Sequence, residues 1–282
     1  MLKSLNKPVA VAALAVVATV ASAGDIPVTD AVKDSGKLAI ANSLSYAPFE
    51  YTDENGKPAG VDIELATAAA NLLGAELDID VVPFASQIPG LAADRFQIAW
   101  STFTVTAERL EQVDFVSFLQ TGVVIVTTPD AAASFEGEHG ACGRKIAVLT
   151  GSSGDFVADK LTEACEAAGK PAVEKQIYPE QKDAIQAIMA GRSEARLEDS
   201  TSAGYYQVTS EGAQVVVGDP MFPLPLGVAV RKGDTATAEM MQAVFNAMIS
   251  DGSYERILSG YKLNASGLSE STVYTEASQL PN

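Results

Sequence analysis

Gly60–Phe115 reads GVDIELATAAANLLGAELDIDVVPFASQIPGLAADRFQIAWSTFTVTAERLEQVDF, and its periodicities decide the fold class. Leu65, Ala69, Leu72 and Leu73 recur at helical spacing, and Gly74 stands where a helix end favours a left-handed residue. Leu77, Ile79 and Val81 then alternate with Asp78 and Asp80, the two-residue period of a strand. Ile88 and Leu91 mark a second short helix, and Ile98 to Ser101 a second strand running into the turn Thr106-Ala107-Glu108-Arg109. A guanidinium just beyond a strand end, beside Thr102 and Thr104, suits a small carboxylate. Planar Arg forms two parallel hydrogen bonds to it, and the hydroxyls complete its shell. An Arg so placed can equally be an ordinary surface ion-pair partner.

The same alternation extends in both directions. Lys37 to Asn42 reads as a strand, followed by an aromatic loop (Ser43 to Glu50) and the turn chemistry of Asn55-Gly56. After Phe115 the pattern restarts, with strands at Thr121–Thr127, Lys145–Leu149, Val173–Tyr178, Ala195–Leu197, Val215–Val217 and Leu226–Val230. Helices over about 155–168, 182–190, 236–250 and 253–259 separate or follow them. Two rounds of βα alternation predict two α/β lobes, each with a mostly parallel sheet whose strand C-termini carry the binding loops. Loops after Asn42, Ser101, Leu149 and Leu197 would then converge in a cleft, while Asn264–Asn282 reads as a polar, extended tail.

The N-terminus carries Lys3 and Lys7, an apolar run from Val9 to Val20, and Ala21-Ser22-Ala23. This is the pattern of a secretory signal peptide cut after Ala23, and the run is shorter than the roughly 20 residues of a membrane span. Cleavage removes two lysines and no acid, leaving 17 basic and 36 acidic residues, a net charge of −19. Such a polyanion repels nucleic acid and anionic membranes, so neither is expected as a partner. Cys142 and Cys165 are the only cysteines. In an exported chain they are expected to be bridged, at a gain of roughly 3 kcal/mol on the chain-entropy model. With one histidine, His139, they cannot furnish a usual zinc set, and a Ser-His-Asp triad is equally poorly provided for, so no metal or cofactor is expected.

Several loops supply complementary groups. Gly151-Ser152-Ser153-Gly154 opens a helix, offering backbone N–H groups to an anion, although an ordinary N-cap reads the same way. Asp199 follows a buried-looking strand, where a carboxylate needs a cation, or else caps the helix after Ser200. Tyr46 and Phe84 offer flat apolar surface, or simple core packing. Together these groups describe a zwitterion, with its carboxylate on Arg109 and the Ser152/Ser153 turn and its ammonium on Asp199.

At these residues the chain resembles the bacterial extracellular solute-binding proteins of family 3, the periplasmic receptors of polar amino acid ABC importers. The matching pieces are Tyr46-Ala47-Pro48-Phe49-Glu50, Gly60 to Leu65, Ile88 to Leu91, Thr104 to Arg109, Val113-Asp114-Phe115, Gly151-Ser152-Ser153, Gly191-Arg192 through Asp199, and Leu226 to Gly233. The resemblance implies a two-lobed type II periplasmic-binding fold with a two-strand hinge. Residues 35–118 plus 224–269 would form lobe 1, 124–218 lobe 2, and 270–282 the tail. It further implies that Arg109, Thr104 and Ser153 hold the α-carboxylate, Asp199 the α-ammonium, and Tyr46 and Phe84 the side chain. A periplasmic location, a monomer and a permease partner in the inner membrane follow in the same way. The chain departs from the family pattern at Ser43, Gln97, Trp100, Arg196 and Glu198. Ser43 stands at an often acidic position, which disfavours lysine and arginine; Trp100 could serve an aromatic ligand; Arg196 either pairs with Glu198 or reaches the ligand. Two other readings remain open: binding of an opine or compatible solute, and an exported cyclohexadienyl or arogenate dehydratase using Glu198 as general acid.

Overall fold

The computed structural model describes residues 26–137 and 139–281, so the proposed signal peptide lies outside the described residues. After a short helix α1 (Asp30–Ser35), strand β1 (Lys37–Asn42) leads into a small antiparallel sheet of β2 (Ser45–Tyr46), β3 (Glu50–Thr52) and β4 (Pro58–Ala59). Helix α2 (Val61–Leu72) follows. It buries Val61, Leu65, Ala66, Ala69 and Ala70, one apolar stripe at helical spacing, and Gly74 beyond it has φ of 65°. Strand β5 (Glu76–Val81), helix α3 (Phe84–Ala92) and strand β6 (Ile98–Thr104) complete a βαβαβ unit, with β1 parallel to both β5 and β6. Beyond Thr106, which caps the four-residue helix α4 (Ala107–Leu110), the chain enters β7 (Val113–Thr127).

The second half repeats the plan with β8 (Lys145–Leu149), α5 (Ser153–Ala167), β9 (Glu174–Tyr178), α6 (Gln181–Met189), β10 (Ala195–Asp199) and α7 (Ser200–Thr209). Here β8 lies parallel to β9 and β10. The chain returns through β11 (Val215–Arg231) to α8 (Thr235–Asp251), α9 (Ser253–Gly260) and a last strand β12 (Val273–Tyr274). The disulfide between Cys142 and Cys165 ties the entry of β8 to the end of α5.

Separate apolar clusters pack within each of the two lobes. One in the first lobe gathers Leu38, Ile40, Leu65, Trp100, Phe118, Val228 and Phe245, and one in the second Val123, Ile146, Val148, Val157 and Leu197. Strands β7 and β11 pair antiparallel along 113–127 and 215–231, with register shifts near Met221 and Leu224, and so run through both lobes as the hinge. Apolar runs alone predict only Thr121–Thr127 of β7, and two separate strands, Val215–Val217 and Leu226–Val230, in place of β11. The hinge segment of β11, Gly218 to Pro225, carries Asp219, Pro220, Pro223 and Pro225, which read as loop.

Two local expectations are corrected. Val81 is 60 % exposed because β5 is an edge strand whose last residue clears the core. The C-terminal segment is a docked strap: β12 pairs with β7 at Phe115 and Val116, Ser271 Oγ donates to Ser117 O at 2.7 Å, and Thr272 N donates to Ser117 Oγ at 3.0 Å. Its backbone completes a sheet edge and Ser271 is buried against β7, a use that composition does not reveal.

Candidate functional site

The strand ends converge as the alternation required. Between the lobes lies a cleft lined from one side by Ser43, Ser45, Tyr46, Phe84, Ser101, Thr102, Thr104 and Arg109, and from the other by Leu149, Ser152, Ser153, Pro179, Glu180, Gln181, Leu197, Glu198 and Asp199. The lobes touch across it, leaving a cavity of about 30 Å³. That is room for one or a few waters. The form described is closed, and an amino acid enters it only when the lobes part.

Arg109 is buried, with its guanidinium among three rings at 5.4 to 5.7 Å from their centroids: Phe84, Phe103 and Phe156. Phe84 itself stacks on Phe103, so the apolar wall and the cation are one assembly. Nη1 donates to Thr104 O and Nη2 crosses the cleft to Gly151 O. Burial pulls the Arg109 pKa down to about 10, against the supporting charges of Asp199 and Glu108. A buried guanidinium whose acceptors are two neutral carbonyls has charge left to neutralise.

Opposite, Asp199 ends β10. Its Oδ1 accepts from Ser153 Oγ at 2.7 Å, and its Oδ2 lies 3.0 Å from the Tyr46 hydroxyl. Burial raises its pKa, while Ser153, Tyr46 and the charge of Arg109 oppose the rise. The Tyr46 hydroxyl also lies 2.6 Å from Glu198 Oε1 and 2.9 Å from Ser202 Oγ. One phenolic proton cannot satisfy two carboxylates. If the shorter contact to Glu198 takes it, Asp199 Oδ2 is left a donor short.

Ser152 caps α5, accepting from Asp155 N at 3.2 Å, so its hydroxyl serves the helix while Ser153 faces Asp199. The first-turn amides of α5 have no acceptor within the helix. Gly154 brings this turn against β10: a Cβ there would lie 2.7 Å from Leu197 O.

Glu198 and Arg196 form a buried ion pair behind the cleft wall. Glu198 takes four donors: Tyr46 Oη and Asp199 N on Oε1, Gln181 Nε2 and Arg196 Nη1 on Oε2. That fills a carboxylate's acceptor capacity. Arg196 also stacks on Tyr206 at 4.9 Å, and burial lowers its pKa to about 10. Of the two alternatives for Arg196, pairing with Glu198 is the one observed, and Arg196 does not line the cleft.

Trp100 is not at the cleft. It is fully buried in the first lobe's core, 5.3 Å from Phe245 and 6.0 Å from Phe118, because alternation along β6 sends it to the face under α8 while Ser101 faces the cleft. Thr102 does line the cleft, but its hydroxyl donates to Asp62 at 2.7 Å, away from any ligand carboxylate. Its φ of 51° is costly for a β-branched residue, on the order of 1–3 kcal/mol.

Asp62 belongs to a feature that the sequence reading missed. Glu50 and Asp62, both fully buried, face one another directly behind Ser43 and Thr102. Glu50 Oε1 accepts from Ser43 Oγ at 3.1 Å, while Glu50 Oε2 and Asp62 Oδ1 have no other donor. Burial and the Asp62 charge push the Glu50 carboxyl well above the usual carboxylate range, and burial raises Asp62 to about 6. A single proton held between the two facing carboxyls would relieve the repulsion between them. Acids set between apolar neighbours, as in Phe49-Glu50 and Val61-Asp62-Ile63, were the available signal. Gln181 and Ser202 carried none.

Residues 38–264 match the bacterial extracellular solute-binding proteins, family 3. The chain belongs to that family. Among curated members it is 30 % identical over 248 residues to an arginine-binding protein of Corynebacterium glutamicum, covering 87 % of this chain and 81 % of that one. It is 26 % identical to the L-arginine-binding protein of Pseudomonas aeruginosa, covering 79 % and 87 %. Among solved structures, an ancestral arginine-binding protein bound to arginine superposes on this solute-binding protein with a TM-score of 0.72 at 28 % identity, covering 80 % and 98 %. An ancestral amino acid-binding protein described as a precursor of cyclohexadienyl dehydratase gives 0.74 at 28 %, covering 82 % and 98 %. Among the described residues of this family member, no helix is long and apolar enough to cross a membrane.

Proposed function

We propose that this solute-binding protein captures an amino acid, or a close derivative, between its lobes and delivers it to the permease of an ABC importer. The observation that carries the reading is the meeting of Arg109 from one lobe and Asp199 from the other in one cleft, each within reach of the other's charge. The ligand's α-carboxylate would displace the Thr104 and Gly151 carbonyls from Arg109, exchanging neutral acceptors for a charged one. Its α-ammonium would supply the donor that Asp199 Oδ2 shares with Glu198. The names of the relatives, arginine-binding in both bacteria cited, support a ligand of this class. In this reading residues 35–118 plus 224–269 and residues 124–218 are the two jaws, and the protein works as a periplasmic monomer.

The dehydratase reading needs a general acid in the cleft. Glu198, the candidate for that role, has four donors and an Arg196 counter-ion, an environment that favours the anion over a transferable proton. We therefore read the protein as a receptor and not as an enzyme.

Calorimetry on the mature protein with a panel of amino acids, repeated on Arg109→Ala, tests the assignment. Loss of the guanidinium strands a desolvated carboxylate and should cost roughly 2–5 kcal/mol of binding. Unchanged affinity in Arg109→Ala would remove the proposal.

A further inference from the structure

Four Arg, Asp and Glu side chains line the cleft: Arg109, Glu180, Glu198 and Asp199. An α-amino acid neutralises two of them, its carboxylate on Arg109 and its ammonium on Asp199. Glu198 is neutralised from behind by Arg196. Glu180 is left. It stands at the N-cap position of α6 without using its side chain as a cap, and no hydrogen bond or ion pair among the described residues engages its carboxylate. Helix α6 packs against β2 across the cleft, and Glu180 at its N-cap lines the same cleft as Ser45 and Tyr46. Behind Ser43, the Glu50–Asp62 pair adds negative charge with no cationic partner among the described residues.

A filled cleft therefore retains uncompensated negative charge at its side-chain end, beside the rings of Tyr46 and Phe84. Aromatic faces and a free carboxylate are the surroundings that a guanidinium, imidazolium or ammonium group prefers. An acidic ligand side chain would meet like charge, and a neutral one would leave Glu180 uncompensated.

We infer that Glu180 is a specificity-determining residue that selects ligands with a cationic side chain. This reassigns the role usual for an acid at position 43: Ser43 is turned to Glu50, and the counter-charge comes from the other lobe. The inference rests on the amino-acid reading above and narrows it.

The test compares arginine with citrulline, its neutral isostere, by calorimetry on the mature wild-type protein and on Glu180→Gln, at low salt and at 0.5 M NaCl. Arginine should bind the wild type at least about tenfold more tightly than citrulline, a difference of about 1.4 kcal/mol. High salt should shrink that ratio. Glu180→Gln should bring the ratio close to one by weakening arginine, and a cooperative urea transition with an unchanged midpoint shows that the variant is folded. Equal wild-type affinities, or a ratio unchanged in Glu180→Gln, overturns the inference and leaves the amino-acid reading standing. Failure of the wild type to bind either compound, together with every other amino acid of the panel, overturns both.

Discussion

The buried acid pair makes a prediction whose sign can be worked out. Glu50 and Asp62 hold their protons more tightly in the folded chain than in the unfolded one, chiefly because burial penalises their charged forms. The folded state thus binds more protons than the unfolded state above about pH 4, where free carboxyls ionise. The contribution of these two groups to stability then falls as pH rises, the reverse of the usual salt-bridged Asp. For Asp62 the fall runs from about pH 4 to its folded value of about 6. A displacement of about two units corresponds to about 3 kcal/mol. Glu50, raised further, extends the loss to higher pH.

Glu50→Gln isolates this contribution from the many other carboxylates. The amide is nearly isosteric, can accept from Ser43 Oγ, and can donate to Asp62 Oδ1, replacing the shared proton with a permanent one. Urea denaturation of wild type and Glu50→Gln at unit steps from pH 4 to pH 9 is the assay. The variant should gain stability relative to wild type as pH rises, by about 1.4 kcal/mol per unit for each proton no longer retained. A wild-type minus variant difference that is flat across this range, or that slopes the other way, refutes the shared proton.

Three further substitutions probe the cleft and its supports. Tyr46→Phe keeps the ring but removes the cross-lobe hydroxyl, a bond to a charged acceptor that is worth about 1.5–3 kcal/mol; small-angle scattering should report a larger radius for the unliganded variant, and an unchanged radius would deny the latch. Arg196→Met strands Glu198 in a buried site and should cost about 3–5 kcal/mol of folding stability, whereas the double replacement Arg196→Met with Glu198→Leu should cost far less, a contrast read by urea denaturation. Trp100→Ala should destabilise the first lobe by about 3–5 kcal/mol while leaving the ligand's rank order among amino acids unchanged in competition binding, because the side chain lies in the core.

The regular parts of this fold were legible because one physical signal served each of them. The stripe of Leu65 and Ala69 and the strand ending at Asn42 both follow from apolar periodicity alone. That Arg109 and Asp199 line one cleft was legible for a different reason, since a cation and an acid at strand ends in an exported α/β chain have few stable uses apart from each other or a ligand. Trp100 misled because a large aromatic beside two cleft hydroxyls looks like a ligand wall; a single step of strand alternation decides the matter, and spacing gives that step no fixed phase. The hinge was obscured by the prolines at 220, 223 and 225, which are tolerated where β11 bends. The Glu50–Asp62 pair was obscured because two like charges are not expected to seek each other, and only burial, which removes the charge from one of them, makes the contact stable.

These local facts bear on how the receptor closes. A ligand shifts a two-state equilibrium only by the difference in its affinity for the two states. Among the described residues the cross-lobe hydrogen bonds of this closed form include two sets: Tyr46 to Glu198, Asp199 and Ser202, and Arg109 to Gly151 O. They have opposite consequences. The Tyr46 contact to Glu198 uses an acceptor fixed by Arg196 and Gln181, which a ligand need not disturb, so it favours closure before and after binding and lowers the cost of closing over a ligand that has entered the open form. In the proposed binding mode the Arg109 contact is surrendered to the ligand carboxylate, so it opposes entry by as much as it favours closure without a ligand. Removing the first should weaken binding by raising the cost of closing over the ligand, whereas weakening the second without touching the guanidinium should strengthen it. The carbonyl at Gly151 has φ of 68°, a left-handed turn that glycine adopts without strain and that side-chain-bearing residues resist. Gly151→Ala should therefore pull that carbonyl out of line with Arg109 and tighten amino acid binding, measured by calorimetry beside Tyr46→Phe. Weaker binding in both variants would mean that the two contacts act in the same direction, and the distinction between latch and plug would fail.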